Sequence, residues 1–306
     1  MSRAVSARVL VAGLACAVVF FWAGARQPSA QGDIRERTLF VSALDRMDNP
    51  VEGLGPADLI VREDGVQREV LRVSRATEAL EVAVLVDNAA TSDSLIPRVR
   101  EGLKAFIAAL TPQHSVALVA LADRPTILVD YTTNRDALIA GSQRLFTMNR
   151  SGATLLDAIV EVSTGLRRRE AARTAIVPIV TDGVEYSNRR YQDVLDAITA
   201  SGAGFYPIAV GRFPMTPATV DGPEHERTVV ISSAPEASGG RRFDLLASSA
   251  IEGAMAKVAR ILTSQYKVVY SRPETLIPPE KVQIATTRTG VIVTGTPARV
   301  PGGSAK

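Results

Sequence analysis

Three short segments, far apart in the chain, each place oxygen-bearing side chains at or just after an apolar run. Residues 82–91 read Val-Ala-Val-Leu-Val-Asp-Asn-Ala-Ala-Thr and end with Asp87 and Thr91. Residues 151–159 carry Thr154 within Ser-Gly-Ala-Thr-Leu-Leu-Asp-Ala-Ile. Residues 176–183 read Ile-Val-Pro-Ile-Val-Thr-Asp-Gly and end with Asp182. Asp87 and Asp182 each close a strand-like run that a helical pattern follows. In an open parallel sheet, the carboxyl edge of the strands is where ligands bind. Carboxylates and hydroxyls gathered there are the donors that a hard divalent cation takes.

The elements that must hold these residues are legible from hydrophobic period. Strands are expected at residues 81–87, 115–122, 126–131, 175–181 and 205–210, with a weaker one at 241–244. Leu95, Val99, Leu103, Phe106 and Leu110 recur at helical spacing, as do Leu155, Ile159, Val162 and Leu166, and later Ile251, Met255, Val258 and Leu262. Such stripes face a core and carry no function of their own. Alternating strand and helix patterns predict an open, mostly parallel six-stranded sheet with helices on both faces. The short connection Asp123-Arg124-Pro125 suits a hairpin, so one edge strand is expected to be antiparallel.

Both flanks of this block read as β. Asp64-Gly65 marks a tight hairpin, because both turn positions need positive φ. Residues 266–270, 281–287 and 291–294 alternate as strands, with a turn at Arg288-Thr289-Gly290. Neither flank has enough strands to bury a face alone, so the two are expected to form one small β unit.

These segments resemble the von Willebrand factor A (VWA) domain, whose metal-ion-dependent adhesion site reads Asp-x-Ser-x-Ser, then Thr, then Asp before Gly. The matching elements are Asp87-Asn88-Ala89-Ala90-Thr91, Thr154 and Asp182-Gly183. Ala89 stands where the family has its first Ser, so one hydroxyl is missing; Thr91 keeps the second. The resemblance implies a metal set of Asp87, Thr91, Thr154 and Asp182 for Mg2+ or Mn2+, weakened by Ala89. It also implies adhesion in which an acidic group of a partner completes the ion's shell. The N-terminal segment resembles a VWA-related family of the acidobacterial type in Asp45…Pro50-Val51-Glu52-Gly53-Leu54…Asp58-Leu59-Ile60-Val61-Arg62-Glu63-Asp64-Gly65.

Composition narrows the remaining choices. The chain has 306 residues, is 46 % hydrophobic and carries a formal charge of +3. Arg3 and Arg8 precede an apolar run over residues 9–25, an order resembling a secretory signal peptide. Without residues 1–30 the balance is 32 basic and 32 acidic, so charge gives no reason to expect nucleic acid. The one cysteine, Cys16, lies in this leader, so a mature chain has no thiol chemistry. The expected organisation is a signal peptide over 1–30, an N-terminal β segment over 36–76, a VWA-like α/β domain over 79–264, a C-terminal β segment over 265–299 and a disordered tail over 300–306. The expected location is the periplasm, cell envelope or exterior, with no membrane span after cleavage; retention of the leader as an anchor is the rival.

Enzyme chemistry has little support. The two histidines are His114, which precedes its strand, and His225, in the acidic loop. No nucleophile elbow or phosphate-binding loop is present, and Ser201-Gly202-Ala203-Gly204 follows a helix where dinucleotide binding needs it to precede one. The loop over 211–228, and the arginines Arg150, Arg189 and Arg190, are expected at the edge that carries Asp87 and Asp182. A basic rim favours an acidic partner. The expected function is protein binding or adhesion; a metal-free structural or scaffold module binding through loops is the alternative.

Overall fold

The strand β5 (Leu80–Val86) reads Leu-Glu-Val-Ala-Val-Leu-Val, with all but Glu81 buried. A strand apolar on both faces belongs at the centre of a covered parallel sheet. The computed structural model, which describes residues 34–89, 95–169, 171–213, 221–273, 277, 279 and 281–297, places it there. β5 pairs in parallel with β6 (Ser115–Ala120) on one side and β8 (Arg173–Thr181) on the other. The sheet continues through β10 (Ile208–Val210) and β11 (Phe243–Leu245) at one edge and ends at β7 (Thr126–Thr132) at the other. Only β7 runs antiparallel, as the Asp123-Arg124-Pro125 hairpin predicts.

The expected strand over 205–210 is broken in two. β9 (Ala203–Phe205) pairs with the first half of β8 and β10 with its second half, with Tyr206-Pro207 between them. Proline has no N–H to give to a ladder, so the strand is interrupted there.

Helices α1 (Leu95–Ala109), α2 (Arg135–Ser142) and α6 (Ile251–Thr263) bury one face of the sheet with Val99, Phe106, Leu138, Met255 and Val258. Helices α3 (Leu155–Arg169), α4 (Tyr191–Ser201) and α5 (Gly222–Ser238) bury the other with Ile159, Leu166, Val194 and Val230. The helix α5 takes up the second half of the expected loop over 211–228. Its register mixes buried Arg227 and Thr228 with Val230 and Ile231 and holds Pro235, so no clean apolar stripe announces it.

The two β flanks form one unit. β1 (Ile34–Leu44) lies between β12 (Tyr266–Pro273) and β14 (Ile292–Pro297), and β4 (Val70–Arg75) extends β12. A second small sheet joins β2 (Leu59–Glu63), β3 (Val66–Arg68) and β13 (Val282–Thr286). Leu39, Val41, Leu59, Val61, Val268 and Tyr270 share the core of this unit. The β2–β3 turn has φ of 47° at Asp64 and 83° at Gly65, the two positive values that the Asp-Gly pair calls for. Glu63 before it is buried and accepts from Tyr270 Oη at 2.8 Å and Arg68 Nε at 3.0 Å, with Arg272 Nε at 3.2 Å.

This unit packs at the amino edge of the central sheet. Arg173, the first residue of β8, donates to Glu78 O at 2.9 Å, Leu262 O at 2.6 Å and Gln265 Oε1 at 2.8 Å, while its guanidinium lies 5.3 Å from the Phe40 ring centre. Gln265 in turn donates to Ser42 Oγ at 3.2 Å. At Gly239, φ is 73° and a Cβ would stand 2.3 Å from Gly295 O, so glycine is required where α5 meets β14. Among the described residues, the hydrogen bonds and ion pairs that join the β unit to the central domain lie at this amino edge and not at the opposite, carboxyl edge.

Candidate functional site

Asp87 follows β5, Thr181 ends β8 with Asp182 directly after it, and Thr154 is tied to Leu121 just after β6. These three strands are adjacent, so the three segments meet at the carboxyl edge within about two strand spacings, ~10 Å. Thr91 lies outside the described residues.

Each side chain is held differently. Asp87 is buried; its Oδ1 accepts from Ala89 N at 2.9 Å, and its Oδ2 accepts from Thr181 N at 3.1 Å and Thr181 Oγ1 at 2.5 Å. Thr154 is buried and donates through Oγ1 to Leu121 O at 2.7 Å, which leaves lone pairs on its oxygen. Asp182 is exposed, and its Oδ2 accepts from Arg212 N at 3.0 Å. A Cβ on Gly211, where φ is 117°, would stand 2.8 Å from the Asp182 carboxylate, so glycine lets the chain pass this close.

The donor set suits a hard cation in kind but is sparse. Its members are oxygens, as Mg2+ or Mn2+ prefers. Asp87 accepts protein hydrogen bonds on both oxygens, one on Oδ1 and two on Oδ2, which take up most of the acceptor capacity of its carboxylate. Thr154 and Asp182 are less engaged by the hydrogen bonds described above. Among the described residues no group of three or more His, Cys, Asp and Glu side chains forms a metal-holding cluster.

Several residues that build this edge carried no signal in the sequence. Asn88 receives Leu121 N at 3.0 Å and Ala122 N at 2.9 Å on Oδ1, and donates to Phe146 O at 2.9 Å. It thereby ties β5 to the connection after β6 and to the segment before Thr154. Glu185 is 2 % exposed and accepts from Ser187 N at 3.2 Å, but its Oε2 has no partner. Burial pushes its carboxyl up to about 7, against the hydrogen bonds of Ser187 and the charge of Arg227. Arg227 donates to Gly183 O at 2.5 Å, and Glu224 accepts from Glu185 N at 3.2 Å. The start of α5 thus holds the turn that carries Asp182.

The basic rim is only partly free. Arg189 pairs with Asp157 at 2.7 Å. Arg150, Arg190 and Arg212 are exposed and pair with no carboxylate among the described residues. The histidines divide: His225 lies in the first turn of α5 at the carboxyl edge, whereas His114 is buried at the amino edge, where Nδ1 accepts from Leu80 N at 3.2 Å and burial pushes its pKa down to about 4.

Against known families, residues 82–185 match the model of the von Willebrand factor type A domain. The chain contains a VWA domain. VWA domains are mostly interaction modules rather than enzymes and generally mediate contacts between proteins. The matched span covers β5, β6, β7 and β8 and all three candidate segments. No curated protein matches the chain. Among solved structures, it is similar to a von Willebrand factor type A protein from Catenulispora acidiphila, with 12 % identity and a TM-score of 0.49 over 88 % of this chain and 74 % of that one. It is also similar to proximal thread matrix protein 1 from the mussel byssus, solved with a zinc-occupied MIDAS motif. That match has 11 % identity and a TM-score of 0.47 over 66 % of this chain and 49 % of that one. A third similar structure is BatB from Bacteroides thetaiotaomicron, at 14 % identity and a TM-score of 0.44 over 61 % of this chain and all of that one. No helix among the described residues is long and apolar enough to cross a membrane.

Proposed function

We propose that this VWA domain is an exported protein-binding module whose carboxyl-edge face takes an acidic group of a partner, with Mg2+ or Mn2+ between them. The observation that carries the proposal is the meeting of Asp87, Thr154 and Asp182 from three separate segments at the edge opposite the one that the β unit joins. Thr154 and Asp182 would hold the ion, Thr91 would add a hydroxyl, and Asp87 would supply further charge beside them. The partner's carboxylate would take an open position, which is the adhesion chemistry of the family's metal site. Export to the periplasm, envelope or exterior rests on Arg3, Arg8 and the apolar run over 9–25. A catalytic role has no motif behind it, since the sequence holds neither a nucleophile elbow nor a phosphate-binding loop.

A metal-free scaffold is the second reading, favoured by the internal hydrogen bonds that use both oxygens of Asp87 and by Ala89 in place of a serine. Thermal melts with and without Mg2+ separate the two, since an ion bound only by the folded state raises the midpoint. The metal reading expects a Mg2+-dependent rise in the parent chain and none in Asp182→Ala. No rise in the parent or in Ala89→Ser, which restores the missing hydroxyl, would leave the scaffold as the better account.

A further inference from the structure

Large apolar side chains are exposed around the candidate site. Phe146 is 65 % exposed, Met148 45 %, Tyr186 56 % and Leu246 91 %. Phe146 and Met148 are pinned beside Asp87, because Phe146 O accepts from Asn88 Nδ2 at 2.9 Å and Met148 N donates to Asn88 O at 2.8 Å. Tyr186 lies on the turn after Asp182, with its ring against Gly152, where a Cβ would meet it at 2.7 Å. Leu246 directly follows β11, whose Leu245 O accepts from Gly211 N at 2.9 Å. All four therefore stand at one edge of the sheet. Isolated exposed apolar residues need no account, but a group of them around a polar site marks a contact surface.

Two free cations complete the surface. Arg150 and Arg212 are exposed and pair with no carboxylate among the described residues. Arg150 holds a left-handed φ of 62°, a conformation uncommon for a non-glycine residue. Arg212 follows Gly211 beside Asp182.

The spacing limits what fits. From β5 to β11 is three strand steps, about 14 Å. An extended chain rises ~3.3 Å per residue and points residues i, i+2 and i+4 to the same side, so five residues span about 13 Å. We propose that this face docks an extended partner segment in which an acidic residue is flanked, two positions to each side, by large apolar residues. The acidic residue sits over Asp182 near Arg150 and Arg212. One apolar residue lies against Phe146, Met148 and Tyr186, and the other against Leu246. This rests on the acidic-partner reading above and adds the register and the flanking chemistry.

Fluorescence anisotropy of the full chain with labelled, glycine-flanked peptides tests it in the presence of Mg2+. The probes carry the cores Leu-Ser-Glu-Ser-Phe, Leu-Glu-Phe, Ser-Ser-Glu-Ser-Ser and Leu-Ser-Gln-Ser-Phe. The first is expected to bind about tenfold or more tightly than the other three. Phe146→Ser and Leu246→Ser, both at exposed positions, should each remove most of that advantage without changing the melting temperature. Equal binding of all glutamate peptides overturns this inference and leaves acidic recognition standing. Preference for the first core that survives chelation supports the surface and sinks the metal. Binding of none of the peptides, or the same preference in both variants, overturns the inference.

Discussion

Glu185→Gln should stabilise this protein by an amount that grows from about pH 4.5 and is complete above about pH 7. The Glu185 carboxyl is 2 % exposed, its Oε2 lacks a partner, and burial pushes it from 4.5 to about 7. Below pH 4.5 the group is protonated whether the chain is folded or not, and its folded environment then has no ionisation cost. As pH rises from 4.5 to about 7, the unfolded chain loses the proton while the folded chain keeps it, so stability falls. Above about 7 the full cost is present, about 3 kcal/mol at 1.36 kcal/mol per pKa unit. Glutamine keeps an acceptor for Ser187 N and has no charge to bury, although it gives up the attraction of Arg227. At about 2–4 °C per kcal/mol for a chain of this class, the variant should melt as much as ~6–12 °C above the parent at alkaline pH and together with it at pH near 4. Melting curves of both proteins across that range, in chelator, read the difference directly, because every other titrating group is common to both. Parallel curves would refute the buried, unpartnered carboxyl. A variant less stable than the parent at alkaline pH would mean that Arg227 holds Glu185 ionised.

Removing everything after Ser271 should strip β13 and β14 from the β unit and leave β1 and β2 each short of a neighbour. Limited proteolysis should then cut residues 38–73 first, whereas unchanged protection there would mean that β1–β4 stand without the C-terminal flank. Ala89→Ser should tighten Mg2+ binding in calorimetric titration if the defect of the site is a missing oxygen; an unchanged isotherm alongside a lower melting point in Asp182→Ala would assign both residues to structure. Mass spectrometry of the exported protein should find its first residue between Arg26 and Gln31, and an intact, membrane-bound Met1 or Ser2 terminus would make residues 9–25 an anchor.

What was legible in the sequence is short-range. The two-sided apolar run of β5, the apolar stripes of α1, α3 and α6 and the Asp64-Gly65 turn each depend on residues within a few positions of one another, so period and turn chemistry reveal them. The placement of Asp87 and Asp182 at one edge also followed, because each strand-to-helix order sets which end of the strand its loop leaves; Thr154 follows no strand, lying between α2 and α3, and is brought there by its bonds to Leu121 O. The helix α5 was hidden because its buried face mixes Arg227 and Thr228 with its apolar residues, so no amphipathic pattern marks it. Only the tertiary structure decided the chemistry of the edge. Thr181 comes to Asp87 across 94 positions and uses its carboxylate. Glu63 finds Tyr270 across 207 positions, so the acidic residue before the turn is a buried counterion rather than a surface charge. Glu185 looks like any loop glutamate until Arg227 of α5 and the start of α3 close over it. A carboxylate's role is set by what surrounds it in space, through burial and hydrogen bonding, and those neighbours come from parts of the chain that no local pattern connects.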